Sequence, residues 1–158
     1  MPSASVGELA VREYIGVEFG EGRLPSGDTN FRSRSDLNEY LGTLEGVGDG
    51  KPVLAYFYTK ATKESGSRRV ATKEAQYCET LGTTVLNGSN RKVGILARYF
   101  VCKEINVTNV QPSANRIFNT KTAPTICLFD SSGKLTSHLT GRINAMSLSG
   151  AMMSTLRK

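Results

Sequence analysis

The chain reads as an α/β protein, a central mixed β-sheet flanked by helices, and three observations predict it. Pro52-Val53-Leu54-Ala55-Tyr56-Phe57-Tyr58 is a continuous apolar run, the pattern of a strand buried on both faces. A helical stretch and a second apolar strand, residues 100–107, follow it, and a strand–helix–strand order brings parallel pairing. The chain then closes with a hairpin and a helix, which adds antiparallel pairing to the same sheet.

Each element has its own signal. Residues 1–30 read as an N-terminal arm or extension and 31–158 as the domain. In the arm, Val11, Glu13, Ile15, Val17 and Phe19 alternate with Arg12, Tyr14, Gly16 and Glu18, the period of a short strand. Leu37, Tyr40, Leu41 and Leu44 fall on one helical face, with Ser35 as its expected cap and the glycines of 46–50 as its end. After the central run, a helix is expected over 66–81, with Ala71, Ala75, Cys78 and Leu81 on one stripe and Gly82 at its C-terminus. Residues 83–90 read as a loop, and Val93, Leu96 and Ala97 as a further helical stretch. Residues 115–118 read as a helical turn. Ile126-Cys127-Leu128-Phe129, the turn Asp130-Ser131-Ser132-Gly133 and residues 134–139 form the hairpin. Met146, Leu148, Met152 and Leu156 are spaced for a closing helix, Ala145–Leu156.

Composition narrows the function classes. With 158 residues, 39% hydrophobic, the chain has material for one core. No apolar run approaches the ~20 residues that span a bilayer, and the first residues lack the pattern of a signal peptide, so a soluble protein is expected. Net charge is +6, but residues 1–30 hold five acids against two arginines, leaving the remainder at +9. That balance suits anions; no nucleic-acid recognition module is present, and aromatics are not interleaved with the basic run. Three cysteines, Cys78, Cys102 and Cys127, and one histidine, His138, make neither a disulfide framework nor a spaced metal site, so no metal and no cofactor is expected. Asn87-Gly88-Ser89 and Asn106-Val107-Thr108 match a glycosylation pattern that is common by chance.

Residues 51–58, residues 100–107 and the stretch 122–130 with Gly133, Lys134 and Gly141 together resemble, in order and spacing, the thioredoxin-like superfamily. The resemblance covers roughly residues 35–158. It implies that Pro124 follows a cis peptide bond beside the active-site motif, and that the backbone of Ala123 pairs with an extended substrate. It also implies that the motif's two cysteine positions fall on Thr62 and Ser65, in Thr62-Lys63-Glu64-Ser65. No cysteine lies between Lys51 and Tyr77, so dithiol–disulfide chemistry is not expected and no catalytic residue is assigned.

The resulting expectation is a non-redox domain that binds an extended peptide, a small anion or a partner protein near a vestigial site of Thr62, Lys63, Glu64, Ser65, Ala123, Pro124 and Gly141. Thr62 or Ser65 would cap the following helix, and Lys60, Arg68 and Arg69 would contact an anion. The alternatives are a thiol-dependent oxidoreductase using a single cysteine, foremost Cys78, or a purely structural module. Cys78 falls on its helix's apolar stripe, and Cys102 and Cys127 in strands either side of the central one, so all three are expected in the core without an internal disulfide.

Overall fold

Strand β2, Val53–Tyr58, is the axis of the molecule, and its residues from Val53 to Phe57 are buried. A computed structural model describes residues 16–25, 31–87 and 90–157. On one side β2 pairs in parallel with β5, Val101–Asn106, and on the other it pairs antiparallel with β6, Thr125–Phe129. A two-residue strand β1, Gly20–Glu21, adds in parallel to β5, and β7, Leu135–Thr140, adds antiparallel to β6. The order β1-β5-β2-β6-β7, with a hairpin from β6 to β7 and a closing helix, is a mixed α/β arrangement consistent with a thioredoxin-like fold.

Side-chain alternation divides the core between the two faces of the sheet. Ala55, Phe57, Cys127 and Phe129 pack with Tyr40 and Leu41 of α1, Arg34–Leu41, and with Phe118 from the long segment before β6. The Phe57 and Phe118 rings stack with centroids 4.1 Å apart. Leu54, Tyr56, Ile126 and Leu128 pack on the other face against α3, Arg91–Ala97, and α4, Ala145–Leu156. Helix α2, Lys73–Leu81, contributes to both layers, Cys78 to the first and Leu81 to the second.

Several boundaries differ from the sequence reading. The cap of α1 is Ser33, whose hydroxyl accepts the Asp36 N–H (3.2 Å), rather than Ser35. Asp36 in turn accepts the Arg32 N–H, which places an acid in the positive first turn. Helix α2 ends with Gly82 as its C-cap, as expected, but the residues that follow are not all loop: Gly82–Leu86 form a π-helical turn that buries Val85 and Leu86. Residues 115–118 form bends rather than a helical turn, since Asn115 takes over their hydrogen bonding. The strand expected from Val11 lies in part outside the described residues; within them, residues 16–19 are not strand, and pairing begins at Gly20.

The hairpin turn shows which glycine is irreplaceable. Asp130 Oδ1 accepts the N–H groups of Ser132 and Lys134 (both 3.0 Å), and Gly133 completes the turn at φ +94°. A Cβ there would sit 3.0 Å from Gly48 Cα and 3.1 Å from Gly48 N. Gly150, on an exposed face of α4, has open space around the same position. Gly133→Ala is therefore expected to lower stability by about 1–3 kcal/mol, and Gly150→Ala to raise it by about 0.5–1 kcal/mol. Urea unfolding of both variants checks the pair, and the opposite order would contradict this turn geometry.

Candidate functional site

The junction between β2 and α2, where the sequence resemblance places the vestigial motif, holds a hairpin. Thr62–Ser65 is strand β3, pairing antiparallel with β4, Arg68–Ala71. This corrects the expectation that these residues open a helix at Gly66. Gly66-Ser67 is a two-residue turn with Gly66 at φ +64°, which suits the twist of a hairpin. Glu64 and Arg69 face each other across the strands (3.6 Å), and Arg69 also donates to the Thr62 hydroxyl (3.0 Å) and carbonyl (3.2 Å). At the base the Thr72 N–H donates to the Ala61 carbonyl (3.0 Å), so the chain leaves and re-enters the domain at one place.

The helix itself opens on Thr72, whose hydroxyl accepts the Ala75 N–H (3.2 Å). The cap is thus Thr72 and neither Thr62 nor Ser65. Ala-Thr-Lys-Glu occurs twice, at 61–64 and 71–74, and the second copy opens α2. With the hairpin set aside, the residues at the helix start are Thr72, Lys73, Glu74 and Ala75, again without cysteine. The signal that would have located them is Gly66-Ser67 between two four-residue strands.

Pro124 lies at the same end of the sheet. The Ala123–Pro124 peptide is cis. Phe57 pairs with Thr125, so Pro124 falls beside Tyr58, where β2 hands over to the hairpin. The Gly141 N–H donates to the Pro124 carbonyl (3.1 Å), with Gly141 at φ +75°. The next residue, Arg142, donates to the Tyr77 hydroxyl of α2 (3.3 Å), its guanidinium 5.1 Å from the ring centre. Pro124, Gly141 and α2 therefore share one corner.

Ala123 directly precedes Pro124. It is buried, and its N–H donates to the Asn119 carbonyl (3.2 Å). The segment that delivers it is held by side chains. Asn115 Oδ1 accepts from the N–H groups of Ile117 (3.0 Å) and Phe118 (2.8 Å), and its amide donates to the Tyr40 hydroxyl (3.1 Å). Tyr40 donates onward to the Pro25 carbonyl (2.9 Å), and the Asn119 amide donates to the Asn115 carbonyl. Burial raises the Tyr40 phenol above its ordinary pKa, so it serves as a neutral donor and acceptor.

The basic residues separate by face. Directly opposed residues share a face, so Glu64, Arg69, Thr62 and Ala71 lie on one side of the hairpin and Lys63, Arg68, Ser65 and Val70 on the other. Arg69 is engaged within the hairpin, whereas Lys63 and Arg68 have no acid on their face. Lys60 is exposed at the base; its main-chain N–H donates to the Thr108 hydroxyl (2.9 Å). Among the described residues no group of three acidic, histidine or cysteine side chains could hold a metal ion.

All three cysteines are free and buried. Cys102 and Cys127 pair with Leu54 and Ala55, neighbours on β2, and so face opposite layers. Burial raises the Cys78 thiol and pushes Cys102 and Cys127 up to about 12. The unfolded chain ionises its thiols near ~8.5, so the stability these protonated thiols support is complete below that pH and is lost as pH rises toward the folded values.

Comparison with known protein families finds no match, and comparison with curated proteins finds none. Among solved structures the chain is similar to one described as DsbH Oxidoreductase, with a TM-score of 0.39 and 14% identity over 81% of this chain and 87% of that one. A likeness that distant carries no activity with it, and the fold assignment rests on the strand order.

Two measurements check the site. Thr72→Ala is expected to destabilise by about 1 kcal/mol, while Ser65→Ala stays within about 0.5 kcal/mol; equal effects would put the cap in the wrong place. In the native protein a thiol-reactive disulfide reagent is expected to modify the three cysteines only at the rate of unfolding. Stability measured by urea should fall as pH rises above about 9.

Proposed function

We propose that this is a thioredoxin-like domain without dithiol chemistry that binds an anionic partner, an acidic extended peptide or protein segment, at the β2–α2 junction. The observation that carries the reading is the start of α2. Where a redox helix would present a thiolate, Thr72 caps the helix with its hydroxyl, and the three thiols of the chain are buried with raised pKa values. A reactive thiol needs the opposite, exposure and a depressed pKa.

The hairpin supports an anionic ligand. It projects Lys63 and Arg68 from a face without acids, with Lys60 and Lys73 at its base. Residues 60–73 contain no aromatic side chain on which a base could stack, which favours an acidic peptide over a nucleic acid. The buried Ala123 N–H weighs against strand pairing at the proline itself, so the hairpin rather than Ala123 is the ligand-facing element of this reading.

Insulin reduction with dithiothreitol should proceed at background for the wild type and for Cys78→Ser. A rate above background that is lost in Cys78→Ser would instead establish a single-cysteine oxidoreductase. A fluorescein-labelled oligoglutamate peptide should bind with an affinity that falls with added salt. Deleting residues 62–71 and joining Ala61 to Thr72, whose backbones already meet, should abolish that binding with the fold retained by circular dichroism. Binding that survives the deletion would remove the hairpin from the function.

A further inference from the structure

We propose a second ligand site, independent of the hairpin, in the groove between α1 and the edge strand β7, selective for a small amphipathic monoanion such as a carboxylate on an apolar body. The groove is shallow and open to solvent, with a volume of about 590 Å³. Its apolar wall comes from Leu37 of α1, Ile117 of the segment before β6, and Leu135 of β7. Its polar groups are Arg32, Ser33, Arg34, His138 and Thr140, of which the two arginines carry charge.

The charge balance of this groove is one-sided. No carboxylate lines it among the described residues. Asp36, the acid in the first turn of α1, accepts the Arg32 main-chain N–H (2.9 Å), and among the described residues no ion pair engages the guanidinium groups of Arg32 and Arg34. Two cations beside an apolar wall suit an anion whose tail is apolar, since the head gains charge-assisted hydrogen bonds while the tail leaves water. His138 completes the polar edge, its ring 6.1 Å from that of Phe118. Partial burial and then the charge of Arg34 hold His138 below its ordinary pKa, consistent with a neutral ring that donates or accepts a hydrogen bond beside two fixed cations.

Fold geometry explains why the groove exists. One eight-residue helix and an irregular segment cover this face of the sheet, and the groove lies between that helix and β7. The residues that meet there come from three distant parts of the chain, so the site is a property of the fold.

Titration with octanoate, followed by amide resonances, tests the site, with octanol as the neutral arm. Saturable shifts are expected at Leu37, Ile117 and His138, and octanol should bind on the order of tenfold more weakly. Arg34→Gln, at an exposed position, should weaken octanoate on the order of tenfold, and Lys63→Gln should leave it unchanged. Equal affinity for octanol, an unchanged Arg34→Gln, no saturation, or shifts concentrated on residues 62–71 would each overturn the proposal. None of these outcomes depends on the result of the insulin assay or of the hairpin deletion.

Discussion

The interaction on which the rest of this structure depends is the buried hydrogen-bond chain from Pro25 through Tyr40 and Asn115 to Asn119. The segment from Val107 to Pro124 covers one face of the sheet with no regular secondary structure. Its backbone groups cannot be left without partners in the interior, so side chains must supply them. Asn115 does so for two N–H groups, Asn119 for Lys121, and the Thr120 hydroxyl for the carbonyls of Val107 and Thr108. Phe118 is thereby set under Phe57, and the chain arrives at Pro124 in a fixed position. The same constraint closes the Ala123 N–H, because the turn that places Ala123 ends in its bond to Asn119.

A second constraint acts where the chain leaves β2, at the same end as Pro124. A two-stranded hairpin has little stability of its own. This one is anchored at its base by the Ala61–Thr72 bond and braced by Arg69, which reaches both Thr62 and Glu64. The bracing gathers charge compensation onto one face and leaves Lys63 and Arg68 on the other. An exposed ion pair such as Glu64–Arg69 adds little stability, so its larger consequence is this separation of faces.

How much of this was legible follows from the range of the interactions involved. Strand β2 and helix α4 read correctly because a continuous apolar run and a helical period are local and unambiguous. The start of α2 was misplaced because Ala-Thr-Lys-Glu occurs twice, ten residues apart, and the apolar stripe through Ala71 and Ala75 fits a helix begun at either copy. Gly66-Ser67 carried the deciding turn signal but falls among polar residues with no apolar alternation to mark the strands. The same locality explains Ser33 against Ser35, two serines equally able to cap, separated only by where Leu37 and Leu41 meet the core. The groove had no local signal at all, since Arg34, Ile117 and His138 are brought together only by the sheet.

Three local features meet at the corner formed by the start of α2 and Pro124. Here the helix start is preceded by a ten-residue hairpin and capped by Thr72, and the Ala123 N–H is engaged. Each of these features is held by its own hydrogen bonds. Lys63 and Arg68 lie on the face of the hairpin that carries no acid, and that face is the one the proposed anionic ligand would meet.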